Sequence, residues 1–547
     1  MAEARGLLVD TDLPVAEIAG RRDQRAVLPG RGPSMTSLAN ADIVRRAAVS
    51  LSGRLAIVAH SCLVGLDVGT SAVKAILIDT DGNRLADYTR PLALSRPSAG
   101  HVEQDPAAWI GGVLTALTEF EFGHDLSGLV GIGITSQVNT HVFIGADGET
   151  LMPAITWQDT RCAFDAAVLA AQVNAEQQQG WFGTPVLIDA SHALARLAYV
   201  ARVYPEVYAK TRHVLLPKDY CVMRLTGAVF SDTISAVRLA NGQGYIDQLL
   251  DLVPRAQELL PSLRGFHHVA GRVREGMPCA GTPVVVGVMD AWAGMYGSGV
   301  LRDGEAMYQS GTSEILGIIS PTVNPTRGVV VFPPYDNVVL HAAPTQSGGA
   351  ALQWVSELLG RTPAQLSVLA AGAEPGPSVP LFLPHLEGER APIWDAGSKG
   401  AFAGIGSQAG AAEMARSVME GVAFSARWAF QALQQSANLD LSQANISGDG
   451  SRSDTWCQIR ADALGFPLRR SAVENAAVLG AALLAGVGTQ TVRCMSDAVR
   501  QLVRFDRTFE PRIAYREYYD EKFAGFQKLY YALRHIRKGT AAEAFSE

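Results

Sequence analysis

The chain has 547 residues, 48% hydrophobic and 18% charged, with a formal net charge of −7 and a pI near 5.9. That length exceeds one hydrophobic core and predicts two to four domains, in a composition well able to bury them. The acidic balance argues against nucleic acid or an anionic membrane as partner, and no apolar run reaches the ~20 residues of a membrane span.

Residues 1–60 are read as an N-terminal extension, disordered or weakly helical. The stretch to Arg54 is rich in Arg, Ala and Gly, carries Pro-Gly-Arg-Gly-Pro at 29–33 and lacks a signal-peptide apolar region. Met35 is an alternative start. Six cysteines (Cys62, Cys162, Cys221, Cys279, Cys457 and Cys494) are scattered without disulfide or zinc spacing. They read as reduced thiols of a cytoplasmic protein.

The first strong element is an apolar strand from Leu63 to Asp67, a turn of Gly69, Thr70 and Ser71, and a returning strand that reaches Asp79 and an Asp81-Gly82 hairpin turn. Gly69 lets the backbone approach a polyanion, Thr70 and Ser71 add donors, and Asp67 is placed to hold a hydrated divalent cation. Asp79-Thr80-Asp81-Gly82-Asn83 begins like an EF-hand loop, but Arg84 and Arg90 stand where its Gly and final Glu belong. It is a hairpin turn.

Leu129 to Ile134 form a continuous apolar strand leading into Thr135-Ser136-Gln137-Val138-Asn139. A hairpin at Ala146-Asp147-Gly148 follows, then a stretch with Trp157, Asp159 and Arg161, and a helix-rich region over 162–230. The β-branched run from Pro283 reads as a buried strand ending in Asp290. A carboxylate at a strand's C-terminal edge points into the crevice where α/β folds bind ligands, which makes Asp290 the general-base candidate; a helix-capping role fits the local sequence equally.

The strand-turn-strand pattern recurs at 306–319, turning on Gly311, Thr312 and Ser313. Two such hairpins, one opening each half, predict two similar domains gripping phosphates from both sides of a cleft. Farther on, Ser447-Gly448-Asp449-Gly450-Ser451-Arg452-Ser453-Asp454 joins a strand to a helix, where a purine or ribose could lie close to the backbone. Glu474 and Asn475 open a small-residue helix beside it. Residues 512–538 read as one amphipathic helix covering an apolar surface. No Walker A or Gly-x-Gly-x-x-Gly sequence is present, and His141, His192 and His385 lack partners at metal spacing, so they are read as structural or surface residues.

Taken in order, Asp67-x-Gly69-Thr70-x-x-x-Lys74, Asp290, Gly311-Thr312-Ser313 and Gly448-x-Gly450-Ser451-x-Ser453-Asp454 resemble the FGGY carbohydrate kinases, the xylulokinase branch more than the glycerol kinases. Glu103-Gln104-Asp105-Pro106, Leu215-Leu216-Pro217-Lys218-Asp219-Tyr220 and Leu386-Glu387-Gly388-Glu389-Arg390-Ala391-Pro392 add to the likeness, which covers roughly 62 to 505.

The resemblance implies an α/β fold of two actin-like (ribonuclease H-like) ATPase domains flanking a catalytic cleft. Residues 61–299 would carry sugar and base, 300–505 would bind ATP, and 506–547 would form a C-terminal helix and tail. Mg²⁺ would accompany ATP at Asp67, and Lys74, Gly311, Thr312 and Ser313 would face the phosphates. Gly448 and Gly450, with Ser451 and Ser453, would form the adenine side. Gln137, Val138 and Asn139 would touch the sugar, and Trp157 would border it. Trp292 would stack on it or belong to the core.

Asn139 stands where pentulose kinases of this family carry His, and Asp449 interrupts a turn that is usually all Gly. The expected reaction is phosphorylation of a small sugar, a pentulose such as xylulose, with another ketose or polyol (ribulose, a tetritol, a pentitol or glycerol) as alternative. A non-catalytic actin-like sensor is the other reading. Oligomeric state is open, a homodimer being one option.

Overall fold

The computed structural model describes residues 61–543 apart from 184, 185 and 336. The extension expected over 1–60 lies outside the described residues.

The first sheet is built around β1 (Cys62–Val68), β2 (Ala72–Asp79) and β3 (Arg84–Pro91), an antiparallel meander. β4 (Leu129–Ser136) lies parallel to β1 on its other side. Beyond it come β6 (Pro283–Val285), parallel to β4, and the antiparallel edge strand β5 (Val269–Arg272). The order is therefore β5-β6-β4-β1-β2-β3. β1 is buried except at half-buried Asp67, as a strand covered on both faces must be, whereas edge strand β3 is exposed, charged and ends in proline. Helix α1 (Pro106–Gly123) starts on an Asp105 cap that accepts from Ala107 N at 2.9 Å and lays Trp109, Val113, Leu117 and Phe120 on one face of this sheet.

The second sheet repeats the plan. β7 (Ala306–Ser310), β8 (Glu314–Ile319) and β10 (Leu340–Pro344) form the meander, with short β9 (Val330–Val331) added at its edge. β11 (Ala444–Ser447) and β12 (Leu468–Ser471) continue it in parallel, and β13 (Phe505–Phe509) closes it antiparallel. The order β9-β10-β8-β7-β11-β12-β13 superposes strand for strand on the first sheet once β9 is set aside. Both Gly-Thr-Ser turns thus occupy one topological place, the link between the first two strands of each sheet.

After the inner parallel strand of each sheet comes a small-residue helix: α3 (Asp290–Gly297) after β6 and α7 (Ala476–Gly488) after β12. These two pack backbone to backbone. A Cβ on Gly297 would fall 1.8 Å from Ala476 O, and one on Gly480 would fall 1.8 Å from Ala293 O. α7 also lies against the first sheet, where Cβ atoms on Gly65 and Gly133 would stand 1.9 Å and 1.8 Å from the carbonyls of Val478 and Ala481. Only glycine allows such approach. The cleft is thereby set between two sheets joined through this helix pair.

The C-terminal helix, Arg516–Glu543, buries Tyr519, Phe523, Phe526 and Tyr530 against Leu383 and Phe424, matching the amphipathic pattern over 512–538. The 79–83 segment is a hairpin turn: Asp79 Oδ1 accepts from Asp81 N at 3.0 Å and Asn83 N at 2.8 Å, and Gly82 has φ of 85°. All six cysteines are free thiols.

Candidate active site

A cleft of about 200 Å³ opens between the two hairpins, the first contributing Asp67 and Lys74 from its strands and not its 69–71 turn. Asp67, Lys74 and Asp290 line it from the first sheet. Gly311 and Ser313, then Ser447, Gly448 and Asp449, line it from the second, and Glu474 and Asn475 close one end. Its volume is below the ~300–1,000 Å³ of ordinary small-molecule sites.

Asp67, the penultimate residue of β1, stands opposite Lys74 on β2. Burial, reinforced by the Asp290 carboxylate and opposed by Lys74, pushes its pKa from 3.8 to about 7. Its Oδ1 is buried without a hydrogen-bond partner. The strand expected to run to Asp290 stops at Val285; Asp290 is instead the first residue of α3, and its Oδ1 accepts from Ala291 N at 2.8 Å. Burial raises its pKa to about 6 against that stabilising bond. Two half-buried carboxylates that face one crevice, each raised by desolvation, mark a site that takes up positive charge or protons. Lys74 reaches across the cleft to Asp449 at 3.6 Å, a half-exposed pair.

The first hairpin is braced from below. Gln104 donates to Thr70 O at 2.7 Å, and its Oε1 accepts from Gln137 Nε2 at 2.7 Å and Trp109 Nε1 at 3.2 Å. Gln137 Oε1 accepts from Thr70 Oγ1 at 3.0 Å and Thr140 Oγ1 at 3.2 Å. Both ends of the Gln137 amide are occupied and the residue is buried, so within this geometry it holds the turn. Trp157 is partly exposed, and its indole donates to Thr70 Oγ1 at 2.9 Å. Val138 and Asn139 are half-buried, and Asn139 takes the left-handed φ of 57° that asparagine tolerates. Arg161 proves to be an ion-pair partner, 2.7 Å from both Asp159 and Glu103. Ser71 sits exposed on the turn.

Trp292 belongs to the core. It has no exposure, donates to Tyr296 OH at 3.1 Å and sets its ring edge-on to Phe332 at 5.8 Å. The structure therefore does not bring it to the cleft with Asp67 and Asp290.

In each hairpin the glycine amide bonds back across the turn, though to different offsets: Gly69 N donates to Ala72 O at 3.0 Å, and Gly311 N to Ser313 O at 3.1 Å. Thr312 is exposed at its tip. Gly448 has φ of 92°, and a Cβ there would fall 2.2 Å from Ser310 O, so the loop lies on the end of β7. Gly450 is pressed equally close to Ser310 Oγ, at 2.2 Å for an added Cβ. Ser451 donates to Gly448 O at 2.7 Å and Ser453 caps the helix Asp454–Leu464 through Trp456 N, so these two hydroxyls shape the loop. Beneath it, fully buried Arg460 joins Glu314 at 2.9 Å, Ser310 Oγ at 2.5 Å and Gly450 O at 2.9 Å.

Sequence reading missed Gln309, whose amide fills the space over Gly294 of α3, and Ser447. It also missed Arg460 and the turn Ser347-Gly348-Gly349 packed on the second hairpin. A Gly-Gly pair before an apolar helix was the available signal for that turn. His141, His192 and His385 are buried, and burial holds His192 and His385 at about 3, neutral at physiological pH.

Residues 62–297 match the family model of the FGGY carbohydrate kinases' N-terminal domain, and 306–489 match that of their C-terminal domain. A xylulose kinase from Klebsiella pneumoniae is 31% identical over 78% of this chain and 89% of its own length. A glycerol kinase from Citrifermentans bemidjiense is 29% identical over 85% of this chain and 97% of its own. The crystal structure of a xyloylose kinase from Brucella ovis has a TM-score of 0.75 and 31% identity, covering 87% of this chain and 100% of that one. The two sheets are accordingly the two actin-like domains of an α/β fold. The chain belongs to the FGGY family of carbohydrate kinases, in its xylulokinase-like branch, and is a carbohydrate kinase.

Proposed function

We propose that the enzyme transfers the γ-phosphoryl group of ATP to a hydroxyl of a five-carbon ketose such as xylulose, with Asp290 as general base. The observation that carries this reading is the pairing of Asp67 and Asp290, both raised by burial, against a second wall made by the equivalent hairpin turn. A base with a pKa of about 6 is mostly ionised at neutral pH yet basic enough to accept the hydroxyl proton as the phosphoryl group arrives. Val138, Asn139 and Trp157 would border the sugar beside Thr70, with Gln137 holding that turn from below. Thr70, Ser71, Lys74, Gly311, Thr312 and Ser313 would face the phosphates, and the 448–453 loop the adenosine. Residues 61–299 would thus carry sugar and base, and 300–505 the nucleotide.

Asp67 fits a magnesium ion, because its Oδ1 lacks a hydrogen-bond partner and desolvation, with the Asp290 carboxylate, holds its carboxyl above the ordinary carboxylate range even beside Lys74. Mg²⁺ bound there would neutralise phosphate charge, in the usual manner of an ion that takes one or two carboxylates and keeps water and phosphate oxygens.

Magnesium-dependent ADP release from ATP, measured across pentuloses, pentitols, tetritols, hexuloses and glycerol with Asp290→Ala as control, tests the reading. A pentulose signal that vanishes in the variant supports it. Preference for glycerol, which the similarity to a glycerol kinase makes the second reading, corrects the substrate. Silence across the panel with ATP still bound points to a substrate outside the panel or to the sensor.

A further inference from the structure

We infer that Glu389 and Arg390 form a brace that positions the second phosphate turn, Arg390 acting through Ser313 and Glu389 through the 345–349 turn. This deepens the kinase reading and rests on it. The turn 311–313 is not held by its own strands alone. Gly349 N donates to Gly311 O at 2.8 Å and Ala350 N to Thr312 O at 3.0 Å. A Cβ on Gly348 would stand 2.7 Å from Thr312 O, so the two backbones touch. Whatever fixes 345–349 therefore fixes the turn that lines the cleft.

Glu389 does this from a buried position. Its carboxylate accepts from Gln346 N, from Ser347 Oγ, and from Arg390 N at 2.9 Å. Arg390 Nη2 donates to Thr345 O at 2.6 Å and to Ser313 Oγ at 3.3 Å, so one guanidinium spans the supporting turn and the phosphate turn. Burial lowers the pKa of Arg390, opposed by Glu389, and its Nε is buried without a hydrogen-bond partner. Both bonds leave the one Nη2 nitrogen, whose two N–H donors diverge in the fixed plane of the guanidinium. The Glu-Arg dipeptide thus ties a segment distant in sequence to the phosphate-facing hairpin.

The test is the dissociation constant of a non-hydrolysable ATP analogue with Mg²⁺, by calorimetry, for wild type, Arg390→Lys and Arg390→Gln, alongside thermal midpoints. Nucleotide binding is read without sugar, so a wrong sugar assignment leaves this result intact, and the two readings fail separately. Arg390→Gln is expected to weaken the analogue about tenfold, the scale of one charge-assisted hydrogen bond. Arg390→Lys should give intermediate loss, and millimolar guanidinium should partly restore Arg390→Gln. Ser313→Ala should lose affinity as well. Its effect combined with Arg390→Lys should be less than additive, since both remove the same bond; that cycle decides the matter if Arg390→Gln does not fold. Wild-type affinity in the Arg390 variants, or strictly additive losses without guanidinium rescue, would overturn the brace.

Discussion

Replacing Asp67 by Asn should change how stability depends on pH in the absence of divalent cations. The carboxyl rises from 3.8 to about 7 on folding, chiefly through burial. Between those two values the folded chain holds a proton that the unfolded chain has released. Wild-type stability relative to the variant must then increase as pH falls from about 7 toward 4. At about 1.4 kcal/mol per decade of proton affinity, the full effect is at most about 4 kcal/mol.

Between pH 7 and pH 5 the shift amounts to about 2 kcal/mol, or about 4–8 °C in the midpoint of a domain of this size. The assay is thermal unfolding of both proteins in EDTA at half-unit steps from pH 5 to 8, with the difference in Tm plotted against pH. Other buried acids such as Glu314, also raised to about 7, cancel in that difference. Saturating Mg²⁺ should flatten it, because a cation on the ionised carboxylate returns its pKa toward the ordinary range. A difference in Tm that stays level across the range in EDTA would refute the claim that Asp67 is desolvated.

Asp290→Asn should cut turnover by about 10²–10⁴-fold with ATP affinity little changed, read from initial rates and analogue binding. In the wild type, kcat/KM for the sugar should fall tenfold per pH unit below about 6 as the base protonates, and the residual rate of the variant should lack this limb. Gly133→Ala, whose new Cβ would meet Ala481 O at 1.8 Å, should part α7 from the first sheet and lower stability by about 3 kcal/mol, measured as a drop in Tm. Gly448→Ala, strained at φ of 92° and 2.2 Å from Ser310 O, should raise KM for ATP while leaving KM for the sugar near its original value.

Much of the site was legible in the sequence because its pieces are local. Asp67, the Gly69-Thr70-Ser71 turn and Lys74 lie on one hairpin, and register between adjacent strands sets their order. The same holds for 306–319. Asp290 stood out because an apolar run ends on a carboxylate, and such an edge opens toward the cleft in α/β folds. The free side chains were harder. Trp292 remained open between sugar and core until Tyr296 and Phe332 enclosed it. Gln137 offers an amide that a sugar could use, but Thr70, Thr140 and Gln104 already engage it. Nothing in the local pattern marks Arg460 as the cation beneath the nucleotide loop, because its partners lie about 150 residues earlier on β7 and β8.

The sequence by itself determined the two repeated hairpins, the acidic pair and the family, since turn chemistry and strand periodicity are encoded in neighbouring residues. Tertiary structure alone decided that α3 and α7 meet through glycines, that this contact sets the two sheets around one crevice, and that burial there lifts Asp67 and Asp290. Desolvation and close backbone approach depend on what packs against a residue from far along the chain, and short-range pattern carries no record of that.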